Sequence, residues 1–392
     1  MTQGRPLLNR RLAEFGTTIF AEMSALAART GAINLGQGFP DTDGPEEVRE
    51  AAVRALRAGH GNQYPPGPGV PELRNAIAAH QQRRYALTYD PDTEVLVTAG
   101  ATEAIAATLL ALLEPGDEVI ALEPYYDSYA ACIAMAGATR VPVTLHPEPS
   151  TGTYRLDLDE LRAAVTPRTR LLLLNTPHNP TGTVLTREEL AAIAGLACER
   201  DLLVVTDEVY EHLVFEGEHL PLAGFPGMRE RTVTISSAGK TFSFTGWKVG
   251  WITASPELVT AVRSAKQFLT YVSAGPFQYA VAEALNLPAG YFETLRADLR
   301  AKRDLLSTGL AEAGFEVYRP AGTYFVTTDI RPLDDSGDGF AFCRSLPERC
   351  GVVAVPNAVF YDHREQGAPF VRFAFCKRTE VLEEAVSRLK GL

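Results

Sequence analysis

The sequence predicts a two-domain α/β protein, in which a large domain with a mostly parallel sheet, covered by helices on both faces, is followed by a smaller α+β domain. Three observations support this. The chain has 392 residues, beyond the size at which a single core usually stops growing. From about residue 94, short β-branched apolar runs alternate with longer amphipathic stretches, the pattern of a helix-covered sheet. After about residue 275 the texture changes to long helical sequence and then to a few strands.

In chain order, EVLVTA (94–99) reads as a strand and ATEAIAATLLALL as the helix after it. DEVIAL (117–122), RTRLLLLN (168–175), DLLVVTDE (201–208), RTVTISS (231–237) and VGWITA (249–254) repeat the strand signal, with TREELAAIAGLACER as an intervening helix. The strands before residue 210 are near-continuous apolar runs, as buried parallel strands are. FEVYRPAGTYFVTTDI, a helix near 338–346, the strand FVRFAF and a helix from about 379 make up the smaller domain. No repeat, low-complexity tract or Gly/Ser linker interrupts the chain. The boundary is therefore expected within helix near 275–300, with residues 1–35 an N-terminal arm and part of the small domain, 36–285 the large domain and 286–392 the small one.

Composition narrows the function classes. The chain is 46% hydrophobic and 22% charged, and 48 acidic against 37 basic residues give a net charge of -11 without any Lys/Arg block. Nucleic acid and anionic membrane are thereby excluded as expected partners. Five scattered cysteines lack the close pairs of a zinc site or redox motif, so no metal centre is expected and a reducing cytoplasm fits. The opening MTQGRPLLNRRLAEFG has no apolar core of signal-peptide length, and no later segment is long and uncharged enough to span a membrane. A soluble, unexported, cytoplasmic protein is expected.

Ligands of open α/β sheets bind outside the carboxyl ends of the strands, and four such ends are unusual here. In TAGATE (98–103) a glycine joins strand to helix, and Ala101 and Thr102 begin that helix. The exposed amides could cradle a phosphate, or a threonine could simply cap the helix. In NTPHNPTG (175–182) two prolines constrain the loop, holding Asn179 with its amide free to donate; His178 is expected to support the loop. In VVTDEVY (204–210) Asp207 and Glu208 end a buried strand with Tyr210 just beyond, and a buried carboxylate calls for a cation, unless Asp207 only caps the next segment. In TISSAGKTFSFTGWKVG (234–250) Lys240 follows a strand and a small-residue turn. A desolvated lysine loses pKa and becomes nucleophilic toward carbonyls, although most lysines are solvated surface groups.

In order, spacing and type these four segments resemble the class I/II aminotransferase family, and the resemblance runs from LGQGFPD near Gly36 to VRFAFCK. It implies pyridoxal-phosphate (PLP) fold type I, with a large domain on a mostly parallel seven-stranded sheet. Within the family the chain looks most like the branch holding kynurenine/glutamine transaminases and actinobacterial-type N-succinyldiaminopimelate aminotransferases.

The resemblance also implies roles. Lys240 would hold pyridoxal 5'-phosphate as a Schiff base, Asp207 would pair with the pyridine nitrogen, and Tyr210 and Asn179 would donate to the phenolic oxygen. Tyr126 would stack on the ring, while Ala101, Thr102, Ser237 and Lys248 would hold the phosphate. Tyr64 in NQYPPGPG would reach the neighbour's phosphate in a homodimer. Arg372 would clamp the substrate α-carboxylate in bidentate fashion, beside the backbone of Gly38; the alternative is a surface arginine on an edge strand.

The reaction so implied is ping-pong transamination between an amino acid donor and a 2-oxo acid acceptor, with 2-oxoglutarate expected as acceptor. N-succinyl-LL-2,6-diaminopimelate is placed ahead of kynurenine or glutamine as donor, because small residues at Ser273 and Ala274 would open a wall that aromatic residues close in kynurenine-type relatives. β-Elimination from cysteine conjugates could accompany transamination. A non-catalytic regulator on the same fold would need a DNA-binding module ahead of LGQGFP. A nucleotide-binding reading of GPGVP (67–71) fails because no strand precedes it, a third glycine is missing and Pro71 interrupts the helix start.

Overall fold

The computed structural model describes residues 7–16 and 18–392; the first six residues of the expected N-terminal arm lie outside them. In chain order the elements are α1 (Ile19–Thr30), β1 (Ile33–Asn34), α2 (Glu46–Arg57), α3 (Pro71–Tyr85), β2 (Val95–Thr98), α4 (Gly100–Leu112), β3 (Glu118–Glu123) and α5 (Asp127–Ala136). Then follow β4 (Thr139–Glu148), β5 (Thr153–Leu156), α6 (Leu158–Ala163), β6 (Thr169–Asn175), α7 (Arg187–Glu199), β7 (Leu203–Asp207), β8 (Thr232–Ser237), α8 (Ala238–Thr241) and β9 (Gly250–Thr253). The remainder is α9 (Pro256–Lys266), α10 (Gly275–Leu285), α11 (Ala289–Glu312), β10 (Glu316–Tyr318), β11 (Phe325–Asp329), α12 (Gly339–Cys350), β12 (Val352–Val353), β13 (Val355–Pro356), α13 (Arg364–Gly367), β14 (Phe370–Ala374) and α14 (Thr379–Leu389).

All six strands read from sequence in the first part of the chain are present. The sheet order is β2-β9-β8-β7-β6-β3-β4-β5, so it has eight strands rather than seven. The pairs from β4 through β3, β6 and β7 to β8 are parallel, whereas β9 runs antiparallel to both its neighbours. The added strand is β5, which returns antiparallel along Leu145–Glu148 of β4. In β6, Leu171, Leu172, Leu173 and Leu174 are all buried, because helices cover both faces; each such side chain stabilises the fold by about 1.5–3 kcal/mol. Helix α7 begins with a reciprocal capping box between Thr186 and Glu189, which fixes its start. Pro71 does not interrupt a helix; it occupies the first turn of α3, where its missing N–H is no loss.

A second sheet, β10-β11-β14-β13, is antiparallel throughout. Its core includes Phe373, Phe342, Leu306 and Leu382, and also Ile19 and Met23 from α1. Strand β1 pairs parallel with β12, Ile33 against Val352, which ties the N-terminal segment to this sheet. Between α10 and α11 the helix is broken at residues 286–288.

Register places the site. Asn175 on β6 pairs with Asp207 on β7, which pairs with Ile235 on β8; two residues on, Ser237 pairs with Gly250 on β9, which pairs with Thr98 on β2. The chemical residues thus form a row at the carboxyl edge of the parallel strands, where such sheets bind ligands. Among the described residues, no helix is long and apolar enough to cross a membrane, and the five cysteines are free.

Candidate active site

A cavity of about 370 Å³ opens over this row, within the size range of small-molecule sites. Gly38, Ala101, Thr102, Tyr126, Asn179, Asp207, Tyr210, Ser237, Lys240, Lys248 and Arg372 all line it. Tyr64 does not: it stands 83% exposed, its ring edge-on to Tyr271 at 5.6 Å. Ser273 and Ala274 are also absent from the cavity wall. Ser273 instead turns its carbonyl to Gln278 Nε2 (2.7 Å), and Ala274 caps α10.

One end of the cavity is built for an anion. Helix α4 starts at Gly100 and has no side-chain cap, so its first amides face the cavity with the positive end of the helix dipole. Thr98 is not a cap, because its hydroxyl donates to the Gly100 carbonyl (3.0 Å). Gly100 has φ +73°, and a methyl there would lie 3.5 Å from Lys248 Nζ, which places that ammonium beside the helix start.

The floor carries the acid. Asp207 is 4% exposed; burial pushes its carboxyl up to about 6, against hydrogen bonds that favour the charged form. Tyr129 donates to Asp207 Oδ2 (2.6 Å), and the Val209 amide reaches Oδ1 (3.4 Å). Tyr129 was not read from sequence. The signal was its position three residues after Tyr126 at the start of α5, which puts both rings on one face; they meet edge-on at 5.8 Å. Asn175, also missed, donates to the Asp207 carbonyl (2.8 Å) and accepts from the Asn179 amide (2.7 Å).

Lys240 sits in the single turn of α8, just past β8. Burial lowers its pKa, so its amine is held toward the neutral, nucleophilic form. Its Nζ lies 5.8 Å from the Tyr210 ring centre and 5.6 Å from that of Tyr324. The Tyr210 phenol is raised, first by burial and then by Asp207, so it remains a hydrogen-bond donor.

Arg372 marks the opposite wall. It lies on an interior strand of the second sheet and is 1% exposed, so it is no edge-strand surface residue. Its Nη1 donates to Asn179 Oδ1 (2.8 Å) and its Nη2 to the Gly36 carbonyl (3.1 Å), while the rings of Phe325, Phe360 and Phe20 surround it at 4.0, 4.9 and 5.3 Å. Burial brings it down to about 10, still a cation at neutral pH, and its buried Nε has no partner. Since Asn179 spends its oxygen on Arg372, its Nδ2 remains to donate. Gly38 is required by packing: a methyl there would meet the Phe325 ring at 2.3 Å, and its carbonyl accepts from Tyr324 (2.6 Å). His178 supports the loop, with Nδ1 2.8 Å from Thr181 Oγ1 and burial holding it down to about 4.

These groups fit a flat, anionic cofactor with a ring nitrogen. The uncapped helix start and Lys248 suit its phosphate, the buried Asp207 its nitrogen, and Lys240 its carbonyl. The unpaired donor of Arg372 suits a substrate carboxylate.

Comparison with known proteins agrees. The family model for aminotransferase class I and II matches residues 30–389. The solved structure of N-succinyldiaminopimelate aminotransferase from Mycobacterium tuberculosis is 56% identical and covers 98% of this chain and 99% of its own, with a TM-score of 0.94. The methionine aminotransferase of Escherichia coli is 39% identical over the full length of both chains, and its structure has a TM-score of 0.92. The human kynurenine–oxoglutarate transaminase 3 is 37% identical, over 97% of this chain and 89% of its own. With the family model spanning nearly the whole chain and the lysine, acid and arginine meeting in one cavity, the chain belongs to the class I and II aminotransferases.

Proposed function

We propose that this enzyme moves the amino group of N-succinyl-LL-2,6-diaminopimelate to 2-oxoglutarate with pyridoxal 5'-phosphate, in the cytoplasm and as a homodimer. The observation that carries the reaction is the convergence of Lys240, Asp207 and Arg372 on one cavity. The donor is supported by the 56% identity to the M. tuberculosis enzyme, against 37% to the human kynurenine enzyme.

When bound, the cofactor supplies an electron sink for the pair left behind on proton removal from the substrate Cα. The chain's own residues do the rest. The α4 start, Ser237 and Lys248 would hold the phosphate, and Tyr126 would cover the ring face. Asp207, fixed by Tyr129, would keep the ring nitrogen protonated. Tyr210 and the Asn179 Nδ2 would donate to the phenolic oxygen. Arg372 would grip the α-carboxylate through its planar fork, which aligns the Cα–H bond, and Lys240, whose pKa burial lowers, would take up the Cα proton. The division at residues 285 and 286 belongs to this reading, with Arg372 brought from the smaller domain's sheet to a cavity that Lys240 and Asp207 of the larger also line.

An amino-donor panel with 2-oxoglutarate, read as glutamate formation, tests the donor. kcat/KM is expected to be highest for N-succinyldiaminopimelate; a higher value for kynurenine, glutamine or methionine overturns the donor and leaves the aminotransferase intact. Lys240→Ala is expected to abolish turnover and the absorbance of covalently held cofactor, and normal turnover in that variant would remove Lys240 from its role.

A further inference from the structure

On the other side of β8 from the cavity lies a buried cluster that transamination does not use. Successive strand residues point to opposite faces, so Ser236 faces away from the cavity that Ser237 lines. Ser236 Oγ donates to Glu211 Oε1 (2.6 Å), and the Tyr85 hydroxyl donates to Glu211 Oε2 (2.6 Å). The same Oε2 lies 3.7 Å from His80 Nε2 and 3.9 Å from His212 Nε2, with all three side chains between 2% and 6% exposed. His80 Nε2 has no hydrogen-bond partner.

The two hydroxyls that donate to Glu211 bring no positive charge to balance its buried carboxylate. An ionised carboxylate sealed from water needs a cation close by. Neither imidazole comes within hydrogen-bond distance of it, so the space between the three groups has no bond across it. The three donor atoms lie within 4.8 Å of one another. Nitrogen and oxygen ligands bound to zinc at about 2.0–2.2 Å stand roughly 3.4 Å apart in a tetrahedron, so the two separations from Glu211 need close by only a few tenths of an ångström.

We propose that His80 Nε2, His212 Nε2 and Glu211 Oε2 bind a divalent transition-metal ion of the zinc class, with Tyr85 and Ser236 as the outer shell that orients the carboxylate. Two imidazoles and one carboxylate favour this class over magnesium or calcium, which select oxygen, and hydroxyl donors behind a ligating carboxylate are the usual support. The ion joins α3, which carries His80 and Tyr85, to the segment just beyond Tyr210. It touches neither substrate nor cofactor, so its role is to brace that segment.

The test uses tag-free holoenzyme, stripped with EDTA and titrated with Co²⁺ and Zn²⁺. One Co²⁺ per chain with visible d–d bands, displacement of those bands by Zn²⁺, and a higher Tm on adding Zn²⁺ are expected. His80→Gln, which keeps a polar amide in place, and His212→Asn are each expected to weaken Co²⁺ binding by at least about tenfold. If His212→Asn fails to fold, His80→Gln and the wild-type titration decide. Absence of stoichiometric Co²⁺ binding at micromolar metal, or equal binding by wild type and His80→Gln, overturns the site and leaves a buried polar cluster only.

Discussion

Asp207 and Arg372 show how the site depends on groups that are costly to bury. Asp207 rises to about 6 because burial disfavours its charge, and the Tyr129 hydrogen bond works in the opposite direction. As the pH falls through about 6, the carboxylate of the cofactor-free protein takes up a proton and loses the charge that pairs with the ring nitrogen. Affinity for pyridoxal phosphate is therefore expected to fall below about pH 6. Tyr129→Phe removes a donor to the charged form, so the fall should begin about 1–2 pH units higher, the equivalent of one charged hydrogen bond. Cofactor titrations across pH check this, and an unmoved profile would show that Tyr129 does not tune Asp207. Arg372→Lys keeps the charge and loses the fork; kcat/KM for the amino donor should drop on the order of 100-fold, about 2–3 kcal/mol, with cofactor affinity nearly unchanged. Lys240, Asp207 and Asn179 were legible because each sits at or just past the end of an apolar strand in a distinctive motif, and Arg372 because it stands within the alternating strand FVRFAF. Tyr129 was hidden among the aromatic residues of EPYYDSY, and Phe20 and Phe325, which flank Arg372, carry no signal beyond ordinary core composition.

At the scale of elements, the anion cradle is a contact between β9 and the first turn of α4. A methyl at Gly250 would lie 2.5 Å from the Gly100 carbonyl carbon and 2.8 Å from the Ala101 nitrogen, closer than real contacts allow, and both neighbours are backbone. Gly250→Ala must then displace the helix start. A loss of about 1–3 kcal/mol in stability is expected, as for overpacking generally, together with weaker cofactor binding by roughly ten- to a hundredfold if the misplaced amides lose that much from the phosphate. A lowered Tm with unchanged cofactor affinity would place the phosphate elsewhere. The elements that sequence reading missed have physical reasons. Strand β4 carries Pro142 and Pro147, which cannot donate to a ladder, and only part of it is fully buried; β5 is four residues long and alternates between exposed and buried. The cluster of His80, Glu211 and His212 was invisible for another reason, since His80 lies far in sequence from the adjacent Glu211 and His212 and meets them only when α3 packs beside the segment after β7.

The surface of the whole molecule bears on assembly. Alternation of strand and helix revealed the α/β plan, but a sequence does not show which apolar residues the finished fold leaves outside. Phe268 is 84% exposed, Tyr271 50% and Leu269 46%, and Tyr64 stands beside them at 83%. Large apolar side chains gathered on one face mark an interaction surface. In a homodimer with twofold symmetry each such patch meets its own copy, and the proposed role of Tyr64 at the neighbour's phosphate then makes each site depend on both chains. This can be tested by complementation. Tyr64→Ala should weaken cofactor retention and Lys240→Ala should be inactive. In a hybrid dimer, the site that keeps Lys240 receives an intact Tyr64 from the other chain, whereas the second site carries both defects. Refolding the two variants together at equal amounts makes half of the dimers hybrid, so recovery to about a quarter of wild-type turnover is expected from the symmetry alone. Activity that stays at the mean of the separate variants would mean that Tyr64 serves its own chain or none.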